Sequence, residues 1–218
     1  MHGVITYSVY SRGWILAMKK FVLASKSVDR SELFKRSKIS FEVLITNVDE
    51  KKYKSKIPDP IELIKKLAEK KALKAREMLV NENEDIIIIA ADTIVELNGE
   101  IIGKATNEQQ AFKILKKLAG KAHQLMTGIA IIETSSSKIH VDHDSTKVKF
   151  KSLSDDEIWG YIKSEEWKDR AGAYSIRDKA SLFIESIEGS SSNVIGLPMH
   201  KIHEILKMSF NINLLQES

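Results

Sequence analysis

The chain has 218 residues, enough for one domain or two closely joined lobes around a sizeable core. Apolar residues make up 43% and charged residues 29%, and 34 basic against 30 acidic side chains leave a net charge of +4. That balance suits a globular protein with a small anionic ligand and asks for no nucleic-acid partner. With no cysteine there is no disulfide, thiolate zinc site or cysteine nucleophile. There is then no sign of an oxidising compartment, and a cytoplasmic location is expected. No apolar run reaches the roughly 18 residues of a membrane span, so no membrane association is expected.

Residues 1–17 hold one arginine and no acidic residue, without the long apolar centre or cleavage site of a signal peptide. Met18-Lys19-Lys20-Phe21 makes a natural start before the first strand. Residues 1–17 are therefore expected to be an extension outside the fold, and 18–218 the folded domain. Phe21–Ala24 reads as a strand and Asp29–Ser37 as a helix capped by Ser27. Phe41–Ile45 is a second strand, leading into the acidic turn Asn47-Val48-Asp49-Glu50. Asp59 caps, and Pro60 opens, a helix to about Leu79. Ile86–Ala91 is a continuous apolar run, as in a central strand buried on both faces, and ends abruptly at Asp92.

Asn98-Gly99 predicts a hairpin with arms Thr93–Leu97 and Glu100–Gly103. Thr106 with Gln109 reads as a capping box for a helix to Leu118, stopped by Gly120. His123–Glu133 and Lys138–Phe150 form a long strand pair around Ser135-Ser136-Ser137. Lys147, Lys149 and Lys151 alternate with Val148 and Phe150, giving that strand a basic outer face. Ser154 with Glu157 is a second capping box, for a helix to Lys163. Ala173–Ile176 and Leu182–Ile187 read as short strands, and Leu197-Pro198 leads into a helix over Met199–Met208. The alternation argues for an α/β or α+β fold, and α/β, a mixed sheet with flanking helices, is the class expected.

Several residues are out of place for a purely structural role. Where the first strand meets the first helix, unpaired N–H groups and the helix dipole make a potential anion site. Ser25 and Ser27 add hydroxyls there, and Arg30 adds a fork suited to phosphate oxygens. The alternative is an ordinary serine cap with a surface arginine. Asp92 closes a buried strand, where open parallel sheets place their sites. It is a candidate base or metal ligand, or else a turn-capping aspartate. Lys71 interrupts the stripe Leu67, Ala75, Met78, so it either faces a phosphate or snorkels at the edge. Asp49 and Glu50 are turn residues or oxygen ligands for Mg²⁺. Continuing the hairpin register sets Lys104 opposite Thr93; strict alternation puts its side chain on the face away from Asp92 unless Gly103 makes a bulge, and otherwise it is a solvated lysine at a strand end. The six histidines read as structural or solvated.

Taken together, these pieces resemble the Maf family of nucleoside triphosphate pyrophosphatases. The likeness rests on Leu23-Ala24-Ser25-Lys26-Ser27 with Arg30, on Val48-Asp49-Glu50, and on Lys71-Ala72. Ala91-Asp92-Thr93-Ile94-Val95, Gly103-Lys104, Leu118-Ala119-Gly120-Lys121-Ala122-His123, Asp169-Arg170-Ala171-Gly172-Ala173-Tyr174 and Val194-Ile195-Gly196-Leu197-Pro198 follow in order. The resemblance implies an elongated α/β fold with two lobes around a nucleotide-binding cleft, a homodimer, and a reaction dependent on Mg²⁺ or Mn²⁺. A nucleoside triphosphate would be cut to its monophosphate and pyrophosphate, removing non-standard or surplus nucleotides, with dTTP or UTP favoured. The family is also linked to septum formation, and a nucleotide-binding regulator of division with little catalysis is the alternative.

By the same resemblance Asp92 would be the base, with Lys71 and Lys104 neutralising charge on the phosphates. Ser25, Ser27 and Arg30 would hold phosphate, and Glu50, with Asp49, the metal. The chain departs from the family pattern at Val28 and Asp29, where Pro-Arg is usual, and at Arg177, where glutamine is usual. The reciprocal charge change motivates the expectation that Asp29 and Arg177 pair and reshape substrate recognition.

Overall fold

A computed structural model describes residues 5–7, 19–80, 85–136 and 138–216. The strands are β1 (Ile5–Tyr7), β2 (Lys20–Leu23), β3 (Phe41–Val43), β4 (Ile86–Leu97), β5 (Glu100–Ile102), β6 (Ala122–Glu133), β7 (Ile139–Phe150) and β8 (Ile184–Glu188). The helices are α1 (Val28–Arg36), α2 (Lys51–Lys54), α3 (Pro60–Met78), α4 (Glu108–Leu118), α5 (Asp155–Ile162), α6 (Ser191–Val194) and α7 (Met199–Phe210). The strands join one mixed sheet in the order β1-β3-β2-β4-β6-β7-β8, with β5 paired to β4. This is the expected α/β class. No helix among the described residues is long and apolar enough to cross a membrane. The chain divides into two compact units, and the divisions fall inside β4, β6 and β7.

The first unit comprises residues 1–92, 128–143 and 199–218. Its strands β2, β3 and β4 are parallel neighbours, with Lys20 to Leu23 opposite Ile86 to Ile89. The four isoleucines are fully buried, as a strand covered on both faces requires. One face of β4, the row Ile86, Ile88 and Ala90, packs against Ala68, Ala72 and Ala75 of α3. The small side chains let the helix lie close, and Gly128 on β6 lets it lie closer still. A Cβ at Gly128 would come within 2.3 Å of the Ile64 carbonyl oxygen. Of residues 1–17, Ile5–Tyr7 pair antiparallel with β3; the others lie outside the described residues.

The second unit comprises residues 93–127 and 144–198. The β4–β5 hairpin has the expected register, Leu97 opposite Glu100, with both turn residues Asn98 and Gly99 at positive φ. Its core joins Leu115 and Leu118 of α4, Ile158 and Ile162 of α5, Val148 and Phe150 of β7, and a ring of aromatic side chains. Tyr161, Phe183, Phe150 and Tyr174 meet edge-to-face at centroid distances of 4.9–5.1 Å. The basic outer face of β7 is matched by acidic β8: Lys147 pairs with Glu188 and Lys149 with Glu185.

Four local expectations change. Asp92 does not end a strand, because β4 continues through it to Leu97. The α4 cap is Asn107, which accepts from the Gln110 N–H at 2.9 Å, one residue beyond the expected pair. The Gln110 side chain, rather than Gln109, reaches back to the Thr106 N–H. Ala173–Ile176 is a buried turn rather than a strand, opened by Gly172 and Ala173 at positive φ. The residues are apolar enough for a strand, but those left-handed angles turn the chain away from any ladder. The Ser27, Asp59 and Ser154 caps form as expected, the last as a reciprocal capping box with Glu157.

Candidate active site

The site begins where β2 stops and β4 does not. The Ala24 N–H donates to the Ile89 carbonyl at 2.8 Å, after which the chain leaves the sheet for the loop 25–27. Ala90, Ala91 and Asp92 therefore run on past the carboxyl end of their parallel neighbour, the position at which open α/β sheets leave a crevice. Arg30 takes up the position β2 vacates. Its Nη1 donates to the Ala91 carbonyl at 2.9 Å and to Ser25 Oγ at 3.1 Å. Ser25 Oγ also accepts from the Ser27 N–H at 3.2 Å, and Ser27 Oγ accepts from the Arg30 N–H at 3.4 Å. Ser25 accepts in both of its bonds, so neither uses its hydroxyl proton. Ser27 is thus a true helix cap as well as a candidate phosphate contact.

Side-chain alternation along β4 puts Asp92 in the row of Ile86, Ile88 and Ala90, the row that faces α3. Lys71, four residues from fully buried Leu67 and Ala75, meets it there. Its Nζ lies 2.5 Å from Asp92 Oδ1 and 2.8 Å from Glu50 Oε1. Lys71 is therefore an inward lysine and not an edge residue reaching for solvent. Asp92 is only 6% exposed. Glu50 begins α2 with helical backbone angles and makes no side-chain cap. Its other oxygen, Oε2, is held by Lys54 Nζ at 3.0 Å. Burial works against the Glu50 carboxylate, but the Lys71 charge and the hydrogen bonds from Lys71 and Lys54 outweigh it and hold its pKa down to about 2. Burial lowers the pKa of Arg30, opposed by the charges of Asp92, Glu50 and Asp29.

Asp49 is exposed and accepts from the Lys51 N–H at 3.2 Å, as a turn residue does. Among the described residues no three carboxylate or imidazole side chains group to hold a metal, so Glu50 and Asp92 stand as a pair around Lys71. Two convergent carboxylates fit a hard cation that takes its remaining ligands from phosphate and water. Lys104 and Arg177 belong to the second unit. β5 ends at Ile102, and the register does not continue to a Thr93–Lys104 pair. Lys104 instead bridges antiparallel to Ala171, with its side chain exposed. Arg177 is half-buried, its N–H donating to Ser175 Oγ at 3.4 Å. Lys54 is the residue missed in sequence: its signal is the i, i+4 spacing from Glu50 on a helix of one turn. Of the histidines, His123 is buried and structural, its Nε2 hydrogen-bonded to the Tyr174 hydroxyl at 2.9 Å.

A cation-lined loop at a parallel-strand terminus, beside two carboxylates bridged by a lysine, defines a phosphate-handling α/β protein. The family described as Maf-like protein matches residues 20–209, and the chain belongs to that family. It is similar to a dTTP/UTP pyrophosphatase of Alkaliphilus oremlandii (strain OhILAs), 43% identical over 198 residues that cover 91% of this chain and all of that protein. A dTTP/UTP pyrophosphatase of Caldicellulosiruptor saccharolyticus is 44% identical over 87% of this chain and 94% of its own. One from Dictyoglomus thermophilum is 41% identical over 86% and 95%.

Proposed function

We propose that the protein hydrolyses nucleoside triphosphates, dTTP and UTP foremost, to the monophosphate and pyrophosphate. The observation that carries this reading is the Asp92–Lys71–Glu50 cluster set beside the Ser25–Arg30 loop. Relatives 41–44% identical over nearly their whole length bear the name dTTP/UTP pyrophosphatase, which supports it. Asp92 orients a water and takes its proton as the water oxygen attacks the α-phosphorus. The Pα–O bond to the β-phosphate breaks, and its electron pair leaves on pyrophosphate. Arg30, Lys71 and Lys104 neutralise the charge that builds on the phosphate oxygens, and Ser25 and Ser27 position them. Glu50 and Asp92, with Asp49 nearby in sequence, would hold Mg²⁺ or Mn²⁺, which polarises the phosphate when bound. The enzyme would act as a cytoplasmic homodimer that clears surplus or non-standard nucleotides.

The test is pyrophosphate release from a panel of canonical and modified triphosphates with Mg²⁺. Release from dTTP and UTP well above an Asp92→Asn control is expected. Binding without release from any of them would replace the enzyme with a nucleotide-binding regulator. Asp29 and Arg177 are proposed to act together in selecting the nucleotide. Asp29→Arg and Arg177→Gln should then be non-additive in kcat/KM, the double variant recovering part of each loss. Additive losses would separate the two residues.

A further inference from the structure

We propose that the Lys71 ammonium holds the place of a divalent cation in the nucleotide-free enzyme and is drawn off by the arriving triphosphate. The proposal rests on the reading of Glu50 and Asp92 as metal-holding carboxylates. Lys71 Nζ sits 2.8 Å from Glu50 Oε1 and 2.5 Å from Asp92 Oδ1. A hard cation bridging the same two carboxylates competes for these facing oxygens. Both cannot use them at once, because the ammonium would face a like charge at contact distance.

The surroundings suit an exchange. Asp92 is almost fully buried, and two carboxylates without a cation between them would repel each other in that setting. Lys71 removes the repulsion before any ligand arrives. Its flexible four-carbon stem carries a point charge with three donors, which can pass from carboxylate to phosphate oxygen without moving the helix. The helix itself is anchored by fully buried Leu67 and Ala75 on either side. Arg30 offers a contrast: its fork is fixed by the Ala91 carbonyl and Ser25 Oγ and is already set for an anion. Lys54, on the second oxygen of Glu50, keeps that carboxylate oriented while Lys71 leaves.

The consequence is a coupling between the two ligands. Metal alone must displace Lys71 with no new partner for the ammonium. With nucleotide present the phosphates accept it. The linkage is reciprocal, so metal should strengthen nucleotide binding by the same factor.

The experiment measures Mn²⁺ binding to the purified full chain by electron paramagnetic resonance, with and without a non-hydrolysable α,β-methylene analogue of dTTP. In the wild type, Mn²⁺ alone should bind weakly, and the analogue should tighten it. Lys71→Met should bind Mn²⁺ alone about tenfold or more tightly than the wild type, with the tightening by the analogue reduced correspondingly. Lys71→Arg, which keeps a charged fork on the carboxylates, should bind Mn²⁺ alone no more tightly than the wild type. It tests the proposal even if the methionine variant does not fold. Unchanged or weaker Mn²⁺ binding in folded Lys71→Met overturns the proposal, as does tighter binding in Lys71→Arg. Failure of the functional reading looks different: no triphosphate then yields pyrophosphate. Failure of this inference alone leaves an active enzyme whose metal affinity ignores Lys71.

Discussion

In the first unit the charged side chains of the site hold one another: Asp92 is held by Lys71, Glu50 by Lys71 and Lys54, and Arg30 lies between a carbonyl and a serine. In the second unit two buried polar side chains are neutral: His123 meets the Tyr174 hydroxyl, and the Asn193 amide donates to the Leu125 carbonyl and Thr146 Oγ1. A buried ion network rarely improves stability over apolar side chains of the same shape. Its presence at the end of a parallel strand therefore points to chemistry. The aromatic cage around His123 has no charge to spend and serves packing.

That contrast can be broken most sharply at Asp92. Asp92→Asn should lower kcat by about 10²–10⁴-fold, the range of a lost general base. Lys71 keeps Glu50 as a partner, so Tm should move little. A collapse in Tm with retained activity would make Asp92 a structural residue. Phe150→Ala should do the reverse. The side chain is fully buried among Tyr174, His123 and Phe183. Its loss should cost about 3–5 kcal/mol, read as a Tm lower by about 10 °C for a chain of this size. The kcat of the folded fraction at 25 °C should stay near the wild-type value.

The smallest effect, and the most diagnostic, is in pH. Burial pushes His123 down to about 4 from its ordinary 6.5. The unfolded chain then binds the extra proton first, so the stability from neutral His123 is complete above pH 6.5 and is lost as pH falls toward 4. Glu50, with its pKa lowered to about 2 from 4.5, loses its contribution only between those values. Denaturant midpoints from pH 7 to 4.5 should therefore report the second unit, and His123→Gln should flatten that slope. An unchanged slope would place the titrating group elsewhere.

Much of this was legible in the residues. Ser27, Asp59 and Ser154 cap their helices because a cap depends on three or four neighbouring residues. The Asn98-Gly99 hairpin formed in its expected register for the same reason. Lys71 betrayed itself as a charge in an apolar stripe. For Asp92 the expected strand end belongs to its neighbour: β2 ends beside it, while β4 runs on. The end of a neighbouring strand leaves no mark in the sequence around Asp92. Lys104 shows the converse error. The expected register runs two residues beyond the last pair, Val95 with Ile102, because nothing local announces Ala171 as the partner of Lys104.

The sequence by itself determined the α/β class, the caps at Ser27, Asp59 and Ser154 and the buried isoleucine strand, which follow from short-range pattern, and its ordered motifs carried the likeness to the family. Only the tertiary structure decided that Arg30 takes the position β2 vacates, that Gly128 brings α3 close to the sheet, and that Lys71 lies between two carboxylates some twenty residues away on either side. Those contacts depend on where strands end and how closely backbones approach. Such quantities are set by the packing of distant segments and carry no local signature.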